Sequence, residues 1–134
     1  MGLRAGLLPL ILLAGCAGRE AVLVGPKPIG PYSPAIVQGG TVYVAGQGPS
    51  DPKAEIREAT RQTLDKVKAI LEAAGSSLEK VSKVNVYLTD IHNFAAMNEV
   101  YRTYFKEPYP ARTTIQAAAL PGGIPIEIDC VASR

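Results

Sequence analysis

Arg112 and Glu127 are charged side chains set in two segments that otherwise read as β-strands. Facing a ligand, they would offer a cation and a proton-exchanging carboxylate. Facing water, they are a surface ion pair contributing about 0–1 kcal/mol. Period-two alternation puts Arg112, Thr114 and Gln116 on one face, with Thr113, Ile115 and Ala117 on the other. Ile126, Ile128 and Cys130 share a face in the last strand, while Glu127 and Asp129 take the opposite one. With helices covering Ile115, Ile126 and Ile128, Arg112 and Glu127 belong together on a second, more polar sheet face. If the two strands form a hairpin with Leu120 opposite Pro125, Arg112 lies opposite residue 133. Glu127 is then six positions away, roughly 20 Å at 3.3 Å per residue. One subunit would not bring both side chains to one small substrate, so a shared site lies between subunits.

The elements that must hold these residues are legible from periodicity. Ala35-Ile36-Val37 and Val42-Tyr43-Val44-Ala45 flank Gly39-Gly40, a hairpin signal. Residues 55–74 carry Ile56, Ala59, Thr63, Val67, Ile70, Leu71 and Ala74 at helical spacing, and Gly75 closes the helix. Val84, Val86 and Leu88 alternate as a strand. A second helix over about 93–106 shows Phe94, Met97, Tyr101, Tyr104 and Phe105 as its apolar stripe, read as core. Strands over about 112–120 and 125–132 follow, joined through Pro121-Gly122-Gly123-Ile124. The order β-β-α-β-α-β-β predicts an α+β domain with two helices on one face of the sheet. A short edge strand at Val22–Val24 brings the sheet to six.

The chain has 134 residues, net charge +2, one His and two Cys, with 47% hydrophobic content. That length supports one domain, and the hydrophobic content argues against disorder. One His with Cys16 and Cys130 is too few for a usual structural zinc site. Near-neutral charge leaves no basic footprint for nucleic acid, and there is no Gly-rich phosphate loop.

Residues 1–15 carry one charge, Arg4, near the start and an apolar run from Leu7 to Ala14, and read as a secretory signal peptide. The run is too short for a bilayer span of about 20 residues. Leu13-Ala14-Gly15-Cys16 resembles a bacterial lipobox, in which Cys16 is lipidated and becomes the first mature residue. Ala17 in place of Asp favours the periplasmic side of the outer membrane. The division is therefore 1–15 signal, 16–28 lipidated Cys and tether, and 29–134 domain. An unprocessed leader would leave the protein cytoplasmic.

Ile29-Gly30-Pro31-Tyr32-Ser33-Pro34-Ala35, VYVAGQ at 42–47, RQTLDKVKAILEAAG at 61–75 and PARTTIQAAALPGGIPIEIDCVA at 110–132 resemble the RidA (YjgF) family. The resemblance covers about residues 27–133. It implies a chorismate-mutase-like fold assembled as a homotrimer with clefts between subunits. It also implies hydrolysis of reactive enamines and imines, such as 2-aminoacrylate and 2-iminopropanoate, to 2-keto acids and ammonia, without metal or organic cofactor. Arg112 would bind the substrate carboxylate through its planar fork. Glu127 would position or activate water and shuttle protons. Tyr32 would line the cleft, and the backbone at Ala45-Gly46 would approach the ligand where Gly46 lacks a side chain.

Three positions and one loop depart from the family pattern. Ala45 stands for a frequent Ser, Thr114 for a frequent Cys and His92 for a common Asn at the cleft rim, and the loop from Gly48 to Ala54 is short. The resulting expectation is an imine deaminase tethered through Cys16. A non-catalytic envelope trimer binding small carboxylates in its clefts is the alternative. Ribonuclease activity is disfavoured by the lack of a basic, aromatic stripe.

Overall fold

The computed structural model describes residues 18–134. The leader and Cys16 lie outside the described residues.

Among the described residues, eight main elements follow one another. They are β1 (Glu20–Val22), β2 (Ala35–Gln38), β3 (Thr41–Gln47), α1 (Ile56–Ala73), β4 (Val81–Leu88), α2 (Phe94–Tyr104), β5 (Ala111–Gln116) and β6 (Ile126–Ser133). The strands form one six-stranded sheet in the order β1-β2-β3-β6-β4-β5. All neighbours are antiparallel except β4 and β5, which run parallel with α2 as their crossover. Both helices pack on the same sheet face, which is the expected architecture.

Local chemistry accounts for the boundaries. Gly39 (φ 57°) and Gly40 (φ 78°) supply the two left-handed residues that a tight β2–β3 hairpin needs. The Glu55 carboxylate accepts a hydrogen bond from the Arg57 backbone N–H at 3.1 Å and starts α1. The expected stripe of α1 is buried throughout, from Ile56 to Ala74. Thr60 joins the stripe, and it and Thr63 tolerate burial because each hydroxyl donates back to a carbonyl one turn earlier, at 2.6 and 2.7 Å. Across from them the helix face of the sheet presents Val42, Val44, Val84, Val86, Ile126, Ile128 and Cys130, all buried. Each such aliphatic side chain contributes about 1.5–3 kcal/mol by leaving water. Burial pushes the Cys130 thiol up to about 12, so it stays protonated and packs as a small apolar group.

Three expectations are corrected. The edge strand lies at Glu20–Val22, inside the stretch read as tether, and not at Val22–Val24. The C-terminal strands do not form a hairpin, because β4 lies between β5 and β6. A parallel β4–β5 pairing reached through α2 leaves no periodicity that distinguishes it from a hairpin. The face assignment of β5 is also inverted. Arg112 pairs with Val84 and Thr114 with Val86, so they share the helix face. Ile115 pairs with Tyr87 on the open face and is 48% exposed. Composition misleads here because β5 is an edge strand beyond the main helix cover. Polar residues there reach the rim of the core, and an apolar residue faces outward.

Candidate active site

Arg112 and Glu127 therefore stand on opposite faces of the sheet. Glu127 is level with Tyr87 on β4 and Arg112 with Val84, three residues earlier. Their backbones are roughly 10 Å apart along the strands and roughly 10 Å across two strand spacings. A single protomer keeps them apart, as expected, but for a reason of topology and not of hairpin register.

Glu127 is positioned by an irregularity in β3. The β3–β6 register shifts between Val44, which pairs with Cys130, and Gln47, which pairs with Ile128. The extra residue there is a bulge, which re-aims neighbouring groups. Within it the Ala45 N–H donates to the Pro34 carbonyl (2.9 Å) and the Gln47 side-chain amide to the Ala45 carbonyl (3.0 Å). Gly46 then lies against the Glu127 side chain. A Cβ on Gly46 would sit 2.7 Å from Glu127 Cδ and closer still to Oε1. This position of Glu127 needs glycine at 46, since the carboxylate occupies the space a side chain would take and would have to swing away from an added Cβ. Replacing Gly46 with alanine should displace the Glu127 carboxylate and lower turnover by up to about 10²-fold, as misplacement of about 1 Å does at a reacting centre. A kcat retained at the wild-type level in that variant would show the contact to be incidental.

Tyr32, Ala45, Gly46 and Glu127 line one cavity of about 610 Å³, walled on one side by Lys66 and Ile70 of α1. Three residues singled out from sequence thus meet around Glu127. Glu127 is half-buried, and its pKa is raised, first by burial and then by the neighbouring Asp129 charge. The Asp129 carboxylate accepts a hydrogen bond from the Asn85 side-chain amide at 2.8 Å. A carboxylate with a raised pKa in a cleft is suited to proton transfer near neutral pH.

Arg112 lines a second cavity of about 590 Å³, with Asn98, Tyr101, Arg102, Glu107 and Tyr109 among its walls. The two cavities share no lining residue. Among the described residues no carboxylate lies within ion-pairing distance of Arg112. Its guanidinium is instead 4.5 Å from the Tyr101 ring centre and 5.5 Å from that of Phe94. Thr114, two residues on, has a buried hydroxyl without a hydrogen-bond partner among the described residues. His92 lines neither cavity. It follows β4 in a short turn, where its ring Nδ1 and its backbone N–H lie 2.8 and 2.9 Å from Asp90 Oδ1. These contacts hold the Asp90 carboxyl below its usual range, the backbone N–H having the largest effect. Phe94, Met97 and Tyr101 were expected as core. Their spacing along one helix face also puts them beside a cation, which alternation in β5 assigned to the other face.

Comparison with known proteins places this geometry. Residues 23–134 match the model of the family described as Endoribonuclease L-PSP. A RutC family protein of Pyrococcus horikoshii is 52% identical over 115 residues, 81% of this chain and 91% of that protein. The human 2-iminobutanoate/2-iminopropanoate deaminase is 42% identical over 113 residues, 80% of this chain and 82% of that enzyme. Among solved structures, RidA from an Antarctic Psychrobacter superposes with a TM-score of 0.81 at 40% identity. It covers 86% of this chain and 99% of its own. With the matched fold and the motifs that carry Arg112 and Glu127, the chain belongs to the RidA (YjgF) branch of the Endoribonuclease L-PSP family.

Proposed function

We propose that this protein hydrolyses 2-imino acids of the 2-iminopropanoate and 2-iminobutanoate type to 2-oxo acids and ammonia. The observation that carries the reading is the state of Arg112: a half-buried guanidinium that lines a cavity and has no acidic partner among the described residues. Such a group is poised for an external carboxylate, which its planar fork binds through two charge-assisted hydrogen bonds. Support also comes from the human relative's name and from the raised proton affinity of Glu127.

The chemistry needs one water and one proton carrier. Water adds to the imine carbon as the Glu127 carboxylate takes its proton. The C–O bond forms while the C=N π electrons move to nitrogen, to which Glu127 passes the proton it took, giving a neutral carbinolamine. The carbinolamine then collapses: Glu127 takes the O–H proton and hands it to the amine nitrogen, C–N breaks, ammonia leaves, and the carbonyl of the 2-oxo acid forms. Tyr32 and the Ala45-Gly46 backbone border this space on the Glu127 side.

Because one protomer separates Arg112 from Glu127, the proposal includes a homotrimer in which one copy supplies Arg112 and the next supplies Glu127. The open sheet face supports this. It presents Tyr43 at 49% and Ile115 at 48% exposure, apolar surface that the helices of the same chain do not cover. The test generates a 2-imino acid in situ with an amino-acid oxidase and follows imine loss. Acceleration over buffer is expected; imine decay at the buffer rate, with a 2-oxo acid still binding, would favour the non-catalytic alternative.

An envelope location by processing at Cys16 is a further part of the proposal, resting on the lipobox-like Leu13-Ala14-Gly15-Cys16. Mass spectrometry of the mature N-terminus should find a lipidated Cys16. An unmodified chain starting at Met1 would remove the anchor.

A further inference from the structure

The geometry points to the aromatic face of Tyr101 as a positioning element for Arg112, holding the guanidinium in place of a counter-carboxylate so that its N–H donors, one of them facing the weakly accepting Met97 sulfur, stay available to the substrate. The inference rests on the reading of Arg112 as the carboxylate anchor.

A half-buried guanidinium has lost part of its hydration and needs compensation from the protein. An acidic partner would supply it but would also occupy the planar fork, and substrate would have to displace it. Among the described residues Arg112 has no such partner. One helix face provides the alternative. Phe94, Met97 and Tyr101 stand at three- and four-residue steps on α2, one above another. The guanidinium carbon lies 4.5 Å from the Tyr101 ring centre and 5.5 Å from that of Phe94, with Nη1 4.0 Å from the Met97 sulfur. Aromatic faces carry negative charge density and attract a cation without accepting its in-plane hydrogen bonds. Tyr101 is the more buried of the two rings: it is 5% exposed and packs 4.5 Å from the Phe105 ring at 32°. Among the described residues its hydroxyl has no partner in hydrogen-bonding geometry, and the nearby Arg112 guanidinium acts on it chiefly as a charge. The ring face, and not the hydroxyl, is therefore the group assigned the role.

Tyr101→Phe and Tyr101→Leu separate ring from hydroxyl in the full chain. Two readouts are taken: the Kd for 2-oxobutanoate by calorimetry, and kcat and KM for the imine. Tyr101→Leu should raise both Kd and KM about tenfold, the range of a partly buried cation–π contact. Its kcat should stay within about twofold, because the lost interaction is made equally to bound substrate and transition state. Tyr101→Phe should match the wild type. Phe94→Leu, at a 43% exposed position, serves where Tyr101→Leu does not fold, and should raise Kd about twofold to threefold. Unchanged binding in folded Tyr101→Leu, or in folded Phe94→Leu where that stands in, would overturn the inference. So would Tyr101→Phe falling as far as Tyr101→Leu, which would assign the role to the hydroxyl. A wild type that binds 2-oxobutanoate without imine turnover defeats the proposed reaction and leaves the binding comparison to decide the cradle. A wild type that does neither overturns both.

Discussion

Replacing Arg112 with alanine should lower kcat/KM for a 2-imino acid by about 10²–10³-fold and leave the fold intact. Two hydrogen bonds from a charged donor to a carboxylate are together worth about 3–4 kcal/mol when each contributes 1.5–3 kcal/mol and the two are not fully additive. The stability arm follows from the same observation that marks the residue. Removing one member of a buried ion pair strands the other charge, at about 3–5 kcal/mol. Arg112 has no such partner among the described residues, so its removal strands nothing. It also lies on the edge strand β5, which among the described strands pairs with β4 alone. The variant should therefore unfold within about 1 kcal/mol of the wild type, apart from lost packing on Tyr101. Arg112→Lys should recover a minor part of the activity, because a point charge cannot reproduce the planar fork. Steady-state kinetics with matched thermal unfolding would settle the matter; near-wild-type turnover in Arg112→Ala would end its assignment as substrate anchor.

Sequence periodicity succeeds where a residue's environment is dominated by one neighbour and fails where two compete. The α1 stripe from Ile56 to Ala74 is legible because that helix has one buried face and a glycine stop. The Gly39-Gly40 hairpin is legible because both residues need positive φ. The placement of Arg112 is not, for two linked reasons. Alternation assigns residues to two faces without saying which face the helices cover, and Ile115 is the natural but wrong indicator at an edge. Strand order is equally hidden, since a β5 that pairs in parallel with β4 looks locally like the first half of a hairpin with β6. Arg112 and Glu127 were legible as candidates because they are charges in strands with a recognisable setting. The cradle around Arg112 was not, because Phe94, Met97 and Tyr101 satisfy a core pattern equally well. Gly46 was legible as a close-approach site. That the approaching group in the protomer is Glu127 depends on a bulge that no local propensity announces.

Glu127→Gln should reduce kcat by about 10²–10⁴-fold, the usual contribution of a positioned proton carrier. The amide keeps the size of the carboxylate, so the side chain still fits against Gly46 and the cavity keeps its shape. The pH dependence offers an independent reading of the same group. Glu127 has its pKa raised by burial first and by Asp129 second. A base works only when deprotonated, so activity should be full above its pKa and fall as pH drops through it. The acid limb of kcat/KM should therefore lie above the ordinary glutamate range. Asp129→Asn removes the like charge while leaving an amide that can still meet Asn85, and should move that limb to lower pH. Burial remains in that variant, so the limb should stop short of the ordinary glutamate value. A limb unmoved by Asp129→Asn would mean that another group titrates. The three variants read different properties of one carboxylate: Glu127→Gln its proton, Asp129→Asn its charge environment, Gly46→Ala its position. A Glu127 that only fills space would lose activity with Gly46→Ala and keep it with Glu127→Gln, whereas a Glu127 that moves protons must lose activity in both, and only then does the acid limb follow Asp129.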